Sequence, residues 1–394
     1  AAVGMTEGLF SSIGSLITEG VIVTKYDHAK DHKLPSNVSV FEAGHPSPDT
    51  NSVKGTEAIL EMASKATERD LVIVCLSGGG SALLCKPVDD VTLSDKTRVT
   101  DALLACGCPI QDKNSILKHL SQVKGGQLRQ AFAPARCISL VLSDVVGDRL
   151  DTIASGPTVG DDSTVDDVIR VLKEYGLEEK IPKSCYHHLT SPKQTIETPK
   201  PGEAVFENDI VEIVANNQKA REAARAMAES LGFKTSVIHT EFQGDAINTG
   251  SLLAKSFLQS ISKVRKDSTP IAVIAGGETT MTLPSNPGVG GRNQALALSA
   301  MKTISEHPRI ALLAAGTDGG DGPGHDAAGA VVTGEDYKEA IKLGLDYNKA
   351  METADSYAFL QEFEKLRFGK ENVMHLRDGP TGTNVMDLVV MLWK

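Results

Sequence analysis

Acidic side chains follow several predicted strands of this sequence, in loops rich in glycine. "LSDVVGD" places Asp144 and Asp148 just after one strand, "AGGET" places Glu278 after another, and "GTDGGDG" places Asp318 and Asp321 after a third. Carboxylates at strand ends can bind Mg²⁺, which prefers carboxylate and phosphate oxygens, or can orient an attacking hydroxyl group. Asp-Gly pairs also form ordinary turns, and for any one aspartate alone a turn is the simpler interpretation.

A run of three glycines between two serines follows the apolar stretch "LVIVCL" at 71–76. Glycine there lets backbone amides face an anion with no Cβ in the way, and a helix that begins after the loop would add its positive end. A tight strand-to-helix turn would explain one such loop equally well. Glycines recur at further strand ends, however, and together they predict an anionic or phosphorylated ligand. The residues predicted to bind it in this loop are Ser77, Gly78, Gly79, Gly80 and Ser81.

Cationic and neutral donors accompany other glycines. "VGGRNQALAL" places Arg292 and Asn293 at a helix start, where the guanidinium fork adds to the positive helix end and predicts a carboxylate or phosphate site. Lys124 precedes Gly125-Gly126 and is either a phosphate contact or an ordinary surface lysine. "GPTGTNVMDL" supplies Thr383 and Asn384, which are suited to contacts with substrate hydroxyls or a phosphate.

Two histidines lie in turn-rich loops, His45 in "GHPSPD" and His325 in "DGPGHDAAG". Either could be a catalytic base, although a loop histidine is usually just solvated. The sequence contains no G-x-x-x-x-G-K-[ST] motif, and no G-x-G-x-x-G follows a strand with an acidic residue about 20 positions on. A phosphate site here is therefore of another design than the common nucleotide-binding loops.

Composition excludes several classes of protein. The net charge is −11, from 40 basic and 51 acidic residues, which argues against nucleic acid as a main partner. The six cysteines form no CxxC pair and favour structural thiols in a reducing compartment, cytoplasmic or mitochondrial. No apolar run reaches the roughly 18 residues of a membrane span. The chain opens on "AAVGMTEGL", which reads like the middle of a helix, so we expect further residues upstream.

Short β-branched runs alternate with helix-length segments, which indicates βαβ units and largely parallel sheets. Strands are predicted at 71–76, 137–142 and 271–277, and helices at 92–106, 112–132, 164–175 and near 245–265. The segment 190–209 contains three prolines and no helical period, and it is predicted to be a linker. A chain of 394 residues exceeds a comfortable single core, so we predict two α/β domains with the active site in the cleft between them.

Nine segments in order resemble the class II glycerate kinases, the family with an N-terminal associated domain and a C-terminal MOFRL domain. They are "GHPSPD", "LSGGGSALL", "SQVKGGQL", "LSDVVGDRLDTIASGPT", "AGGETTMTL", "GVGGRNQALAL", "AAGTDGGDGP", "DAAGAVV" and "TGTNVMDL". The resemblance covers nearly the whole chain. It implies a Rossmann-like three-layer αβα domain over residues 1–206 and a MOFRL-type α/β domain over 207–394.

The resemblance also implies an activity, transfer of the γ-phosphoryl group of ATP to D-glycerate with Mg²⁺. The expected product is 2-phospho-D-glycerate, with phosphorylation at C3 left open, and a monomer or homodimer is expected. An NAD(P)-dependent hydroxypyruvate reductase is the alternative, because some relatives carry that older name. The active-site lysine of the family lies upstream of the first residue and cannot be assigned.

Site roles follow from the resemblance together with the residues. Arg292, Asp318 and Asp144 are the expected catalytic residues, with Arg292 binding the glycerate carboxylate or the transferred phosphoryl group. Asp144, Asp148, Asp318 and Asp321 are expected to divide Mg²⁺ binding and orientation of the hydroxyl, with Asp321 the metal ligand. Substrate or phosphate contacts are expected from the glycine loop at 77–81 and from Lys124, Asp148, Glu278, Asn293, Thr383 and Asn384.

Overall fold

The chain folds into two compact units, Ala1–Val214 and Ala215–Lys394. The computed structural model describes residues 1–30, 32–191, 193, 195, 197–264, 269–370 and 372–394. Within the predicted linker, residues 192, 194 and 196 lie outside the described residues, as does residue 265 at the predicted end of a helix. Across the described part of the chain, every helix is too short or too polar to traverse a bilayer.

The N-terminal unit contains two small sheets surrounded by helices. β1 (Gly20–Lys25) and β2 (Val38–Ala43) pair in parallel, and β3 (Leu71–Leu76), β4 (Arg136–Leu142) and β5 (Ile210–Ala215) form a second sheet in that order. Its helices are α1 (Ala2–Ile13), α2 (Thr50–Ala63), α3 (Gly80–Leu83), α4 (Leu93–Ala105), α5 (Ile110–His119), α6 (Gln127–Ala131), α7 (Val165–Glu174) and α8 (Lys183–Thr190).

Local sequence explains where several of these helices begin. The Asp49 side chain accepts hydrogen bonds from the backbone of Asn51 and Ser52 at the start of α2, and Thr164 caps α7 in the same way together with Asp167. The helices α4, α5, α7 and α8 share a separate apolar core that includes Leu103, Ile116, Leu172 and Leu189.

The helix predicted over 112–132 is two helices, α5 and α6, separated by residues 120–126. Gly125 and Gly126 take left-handed φ values of +58° and +81°, which an α-helix does not contain. Their amide groups donate to the carbonyls of Ser155 and Gly156 at 2.9 and 2.7 Å, so tertiary contacts fix the break. The helix that follows the glycine loop, α3, has only four residues.

The C-terminal unit is a six-stranded sheet with helices packed against it. The strand order is β10 (His375–Leu376), β9 (Gly329–Thr333), β8 (Ile310–Gly316), β11 (Asp387–Trp393), β7 (Ile271–Gly277) and β6 (Lys234–Val237). Its helices are α9 (Asn217–Ser230), α10 (Ala246–Val264), α11 (Arg292–Thr303), α12 (Asp336–Lys342), α13 (Tyr347–Glu352) and α14 (Ser356–Phe368).

The α/β class is confirmed, but the pairing in this sheet differs from the largely parallel one that was predicted. β6 and β7 are parallel, whereas β11 lies antiparallel between β7 and β8, and β9 and β10 add further antiparallel pairs. The last strand of the unit returns to the middle of the sheet, which the alternating strand–helix rhythm does not reveal. The core behind it contains Phe257, Leu296, Phe363 and Met391, all essentially inaccessible to solvent.

The two units divide after Val214, whereas the sequence suggested a boundary after residue 206. The difference arises from β5, which was expected to open the second domain. In the structure β5 is the third strand of the sheet that contains β3 and β4. Its pairing therefore keeps most of this strand with the N-terminal unit.

Candidate active site

In the N-terminal unit, the glycine loop (residues 77–81) lies between the carboxylate of Asp144 and the imidazole of His45. A Cβ built on Gly78 would lie 2.2 Å from Asp144 Oδ2, and one built on Gly79 would lie 3.0 Å from His45 Cδ2 and 3.2 Å from Nε2. Gly79 also has a left-handed φ of +82°. Bare glycine is therefore required at both positions, because side chains would displace the two groups that flank the loop.

The backbone amides of the loop are available to a ligand. Within the described residues, the N–H groups of Gly78, Gly79 and Gly80 donate no hydrogen bond, while the carbonyl of Gly79 accepts from Ala82 and Leu83 at 3.1 Å. Consecutive unpaired amides in a turn form a concave anion-binding surface. The four-residue α3 is too short to contribute a positive helix end of its own. The groups that could attract an anion here are therefore the backbone amides of the loop.

Two titratable groups beside the loop have pKa values that differ from their usual ones. Burial raises the pKa of Asp144. Burial lowers the pKa of His45, and the charges of Lys25 and His28 lower it further. A carboxylate with a raised pKa can accept a proton from a hydroxyl group. Asp148 follows in the same loop as Asp144, with a left-handed φ of +54°.

Ser81 and Lys124 join the glycine loop to the turn at residues 154–156. The Ser81 and Ser155 hydroxyls are 2.9 Å apart. Lys124, of which only 2% is exposed, donates to the carbonyl oxygens of Gly80 at 3.0 Å and Ala154 at 3.1 Å. Its amino group therefore faces backbone carbonyls, which is neither the surface position nor the direct phosphate contact considered from the sequence.

In the C-terminal unit, Arg292 stands at the start of α11 and forms a two-pronged ion pair with Asp387. Nε donates to Oδ2 at 2.7 Å and Nη2 to Oδ1 at 2.9 Å, and Nη2 lies 3.3 Å from Glu278 Oε1. Although burial acts to lower the pKa of Arg292, the hydrogen bonds and charge of Asp387 outweigh it and raise the pKa. The guanidinium is permanently charged, and 34% of the side chain is exposed.

Asp387 is the functional candidate that sequence reasoning missed. It is the first residue of β11 and pairs with Gly277 at the end of β7 and Gly316 at the end of β8, so it occupies the point where both glycine-ended strands finish. Asn217 fixes this position by donating to the backbone carbonyls of Asp387 at 3.0 Å and Val385 at 2.8 Å. The available signal was a single acid at the start of the apolar run "DLVVMLW".

Asp318 lies beside the same point. A Cβ built on Gly316 would lie 3.1 Å from Asp318 Oδ1 and 3.5 Å from Asp387 Oδ1, and Asp318 Oδ1 accepts from the backbone of Gly320 at 3.0 Å. The Asp318 carboxylate is exposed. The turn that contains it thus presents an accessible carboxylate next to the Arg292–Asp387 pair.

Asp321 and Asn293 are buried at the start of α11. Asp321 accepts from the backbone amides of Asn293 and Gln294, each at 2.8 Å, and from the Gln294 side chain at 3.1 Å. Burial raises its pKa to about 7, against the opposing effect of those amides. Both oxygens therefore already cap the helix that carries Arg292, and the metal-ligand role of Asp321 stays a prediction. The Asn293 side chain is fully buried.

Thr383 and Asn384 belong to the loop that leads into β11. Asn384 Oδ1 accepts from the backbone of Met386 at 2.9 Å, and the Thr383 carbonyl accepts from the Thr381 hydroxyl at 3.1 Å. Thr381 also donates through its backbone to the Asp318 carbonyl at 3.2 Å. The two residues therefore lie in a loop that packs against the Asp318 turn. The loop leads into β11 and the turn follows β8, and these two strand ends pair with each other.

The predicted site residues fall into one group in each unit. Around the glycine loop lie residues 77–81, Lys124 and Asp144, with Asp148 further along. Around the Arg292–Asp387 pair lie Glu278, Asp318, Asn293, Asp321, Thr383 and Asn384. Among the described residues, no three metal-binding side chains cluster in either group. That pattern is compatible with Mg²⁺, which usually takes only one or two protein carboxylates and completes its shell with phosphates and water.

The fold is of the α/β class, and charged side chains adjoin glycine-rich strand ends in both units. The N-terminal residues 1–190 match the model of a domain of unknown function, DUF4147, and residues 271–387 match the MOFRL family. The D-glycerate 2-kinase of Thermotoga maritima is 39% identical over 394 residues, covering 100% of this chain and 88% of that protein. The glycerate 2-kinase of Pyrococcus horikoshii is 37% identical over 381 residues, covering 95% and 82%.

The crystal structure of a glycerate kinase from Thermotoga maritima superimposes with a TM-score of 0.88 at 38% identity, covering 99% of this chain and 88% of that one. The chain belongs to the glycerate kinase family that combines a DUF4147 domain with a MOFRL domain. The family resemblance inferred from the sequence motifs is thereby confirmed.

Proposed function

We propose that the protein is a glycerate kinase that transfers the γ-phosphoryl group of ATP to the C2 hydroxyl of D-glycerate, with Mg²⁺. Support comes first from the family, whose named members in Thermotoga and Pyrococcus are glycerate 2-kinases. The observation that carries the proposal is the Arg292 guanidinium, fixed by Asp387 at strand ends and still partly exposed. Phosphoryl transfer needs such charge neutralisation and positioning more than covalent chemistry.

Roles are proposed for each group. Arg292 binds the glycerate carboxylate or the transferred phosphoryl oxygens through Nη1, the guanidinium nitrogen that takes no part in the pairs with Asp387 and Glu278. The amides of Gly78, Gly79 and Gly80 bind a second anionic group. Asp144 accepts the proton of the attacking hydroxyl while the new O–P bond forms and the bond between the γ-phosphorus and ADP breaks. The departing ADP takes up the electron pair of the broken bond.

Mg²⁺ is proposed to bind at the exposed carboxylate of Asp318, where it would supply charge neutralisation to the phosphates. Asp318 fits this role better than Asp321, because one of its oxygens accepts a single backbone hydrogen bond whereas Asp321 accepts three. Asp321 is then proposed to act on Arg292 indirectly, by fixing the first turn of α11. Glu278, Thr383 and Asn384 are proposed to shape the surroundings of Arg292.

The test is an assay with ATP, Mg²⁺ and D-glycerate in which ³¹P NMR resolves the product. We expect ADP and 2-phospho-D-glycerate, and no turnover after EDTA removes Mg²⁺. A 3-phospho product would correct the regiochemistry alone. Absence of any phosphorylated glycerate, together with oxidation of NADH by hydroxypyruvate at 340 nm, would replace the kinase with a reductase.

A further inference from the structure

Lys124 is a buried lysine whose hydrogen-bond partners, among the described residues, are two neutral carbonyls. Its side chain contributes almost nothing to the surface, and its amino group donates to the carbonyls of Gly80 and Ala154. Lys118, another buried lysine of the unit, differs in this respect, since it lies 2.9 Å from Asp161 Oδ1. A buried charge without a counter-ion is costly, so the surroundings of Lys124 disfavour its protonated form.

Three chain segments meet at Lys124. The glycine loop contributes Gly80, against which Ala154 packs so closely that a Cβ on Gly80 would lie 2.6 Å from Ala154 Cβ. The turn contributes residues 154–156, all three with left-handed φ values between +51° and +63°. The third segment is Lys124 itself with Gly125 and Gly126, whose amides donate to the turn. Left-handed alanine and serine persist only where neighbours hold them, and Lys124 bridges the loop and the turn.

The charged and titratable groups around Lys124 do not supply a counter-ion. Burial lowers the pKa of Lys124 to about 7, and the charge of Lys96 on α4 lowers it further, with a small opposing effect from Cys85. On the neighbouring segments, the Asp161 carboxylate near Gly125 is already paired with Lys118. Asp144 packs against Gly78 on the other side of the loop. A neutral amine still has two N–H donors, and Lys124 donates hydrogen bonds to two carbonyls.

We propose that Lys124 is a positioning residue that ties the glycine loop to the turn at 154–156, and that an anion bound at the loop draws a proton onto its amine. The inference rests on the proposed role of the loop in binding an anion. Lys124 does not touch the ligand. It lies one hydrogen bond from the Gly80 carbonyl, so an anion bound to the loop amides is the counter-ion that no described residue supplies.

The sign of the coupling follows from electrostatics. An anion near a lysine favours the charged form and raises the lysine pKa, so binding at a pH above about 7 takes up protons from the buffer. By the same linkage, affinity for the anion weakens as the pH rises from 7 toward 9. We expect an uptake of about 0.3–0.8 proton per bound anion at pH 8. We also expect a roughly three- to tenfold loss of affinity between pH 7 and pH 8.5.

The experiment is calorimetric titration of the full chain at pH 8 in two buffers of different ionisation enthalpy. The probes are D-glycerate and sulfate, because neither anion titrates between pH 7 and 9 and any proton taken up must come to the protein. Wild-type protein should show uptake with at least one of them. Lys124→Met should bind that anion weakly with no uptake, and Lys124→Arg should bind it with an affinity that does not change over this pH range.

Lys65→Met is the matched control, because Lys65 is exposed in the turn after α2 and pairs with Glu61. It should take up protons like the wild type. Equal uptake by wild type and Lys124→Met, or binding by wild type without uptake, would overturn the inference, and so would absence of binding by both anions. If Lys124→Met does not fold, Lys124→Arg and the pH dependence of the wild type still decide. Turnover of glycerate without proton uptake would contradict only the inference about Lys124. Proton uptake without turnover would contradict only the proposed kinase activity.

Discussion

Arg292 and Asp387 face each other as a planar two-pronged ion pair, although they are far apart in the sequence and lie on different elements. Asp387 is completely buried at the start of β11, and Arg292 is partly exposed at the start of α11. Charge-assisted paired hydrogen bonds hold a guanidinium in one plane. The buried acid therefore determines the direction in which the exposed cation can meet an anion.

Replacing Asp387 by Asn should leave Arg292 charged but loosely held. We expect kcat/KM for D-glycerate to fall at least about tenfold, equivalent to about 1.4 kcal/mol, because one prong of the pair is lost. Urea unfolding should show a loss of about 1.5–3 kcal/mol from the broken charged hydrogen bond. Glu306→Gln, which breaks the exposed pair with Lys338, is the control and should change neither quantity appreciably.

Arg292→Ala tests the proposed contact with the substrate itself. We expect kcat/KM to fall well beyond tenfold, and a smaller fall would remove Arg292 from the active site. Arg292→Lys keeps the charge but cannot present a planar fork, so it should restore only a small part of the activity. Steady-state kinetics with D-glycerate as the varied substrate separates the two variants.

Gly78→Ala should disable the glycine loop, because the added Cβ would meet Asp144 Oδ2 at 2.2 Å. We expect a loss of activity of at least about tenfold as Asp144 is pushed from its place. The matched control is Gly8→Ala on α1, where nothing lies within 4 Å of the added Cβ. That variant should keep full activity and gain about 0.5–1 kcal/mol in stability. Equal activities for the two variants would contradict the close contact.

Glu364 should make stability depend on pH. Burial acts to raise its pKa, but hydrogen bonds from the backbone amides of His375 and Met374 outweigh burial and lower it. A depressed carboxyl pKa contributes stability above the unfolded pKa, near 4.5, and that contribution is lost as the pH falls through the folded pKa. Glu364→Gln should therefore lose about 1–3 kcal/mol at pH 7 and much less in acid.

Urea titrations of wild type and Glu364→Gln at pH 7 and at about pH 3 measure that difference. Exposed Glu362 lies on the same helix, α14, and Glu362→Gln should show no pH-dependent difference. If the free energies of unfolding of wild type and Glu364→Gln differ by the same amount at both pH values, Glu364 is held by packing alone.

Many strands, helices and candidate site residues could be predicted because they depend on patterns within short segments of the sequence. β7 and β8 lie in apolar runs that end in glycine, β3 and β4 lie in apolar runs followed by serine, and α7 begins at a capping threonine. Strand ends converge in an α/β fold, so charged residues placed just after such runs could be recognised as candidates without coordinates. The order of the motifs was enough to identify the family.

Other features depend on contacts between distant segments. The helix predicted over 112–132 breaks because Gly125 and Gly126 bond to Ser155 and Gly156, and no local signal at 120–126 shows that partner. Lys124 was expected at the surface or on a phosphate, yet the same junction buries it. Asp321 was expected on a metal, yet it caps the helix that carries Arg292.

The sequence by itself determined the class of fold, the family and the kind of chemistry, because strand periodicity, glycine at strand ends and the types of charged side chain are properties of short segments. Only the tertiary structure decided which acid holds Arg292, because β11 returns from the end of the chain to lie between β7 and β8. A hydrogen bond between residues so distant in sequence depends on sheet order, which no local pattern records.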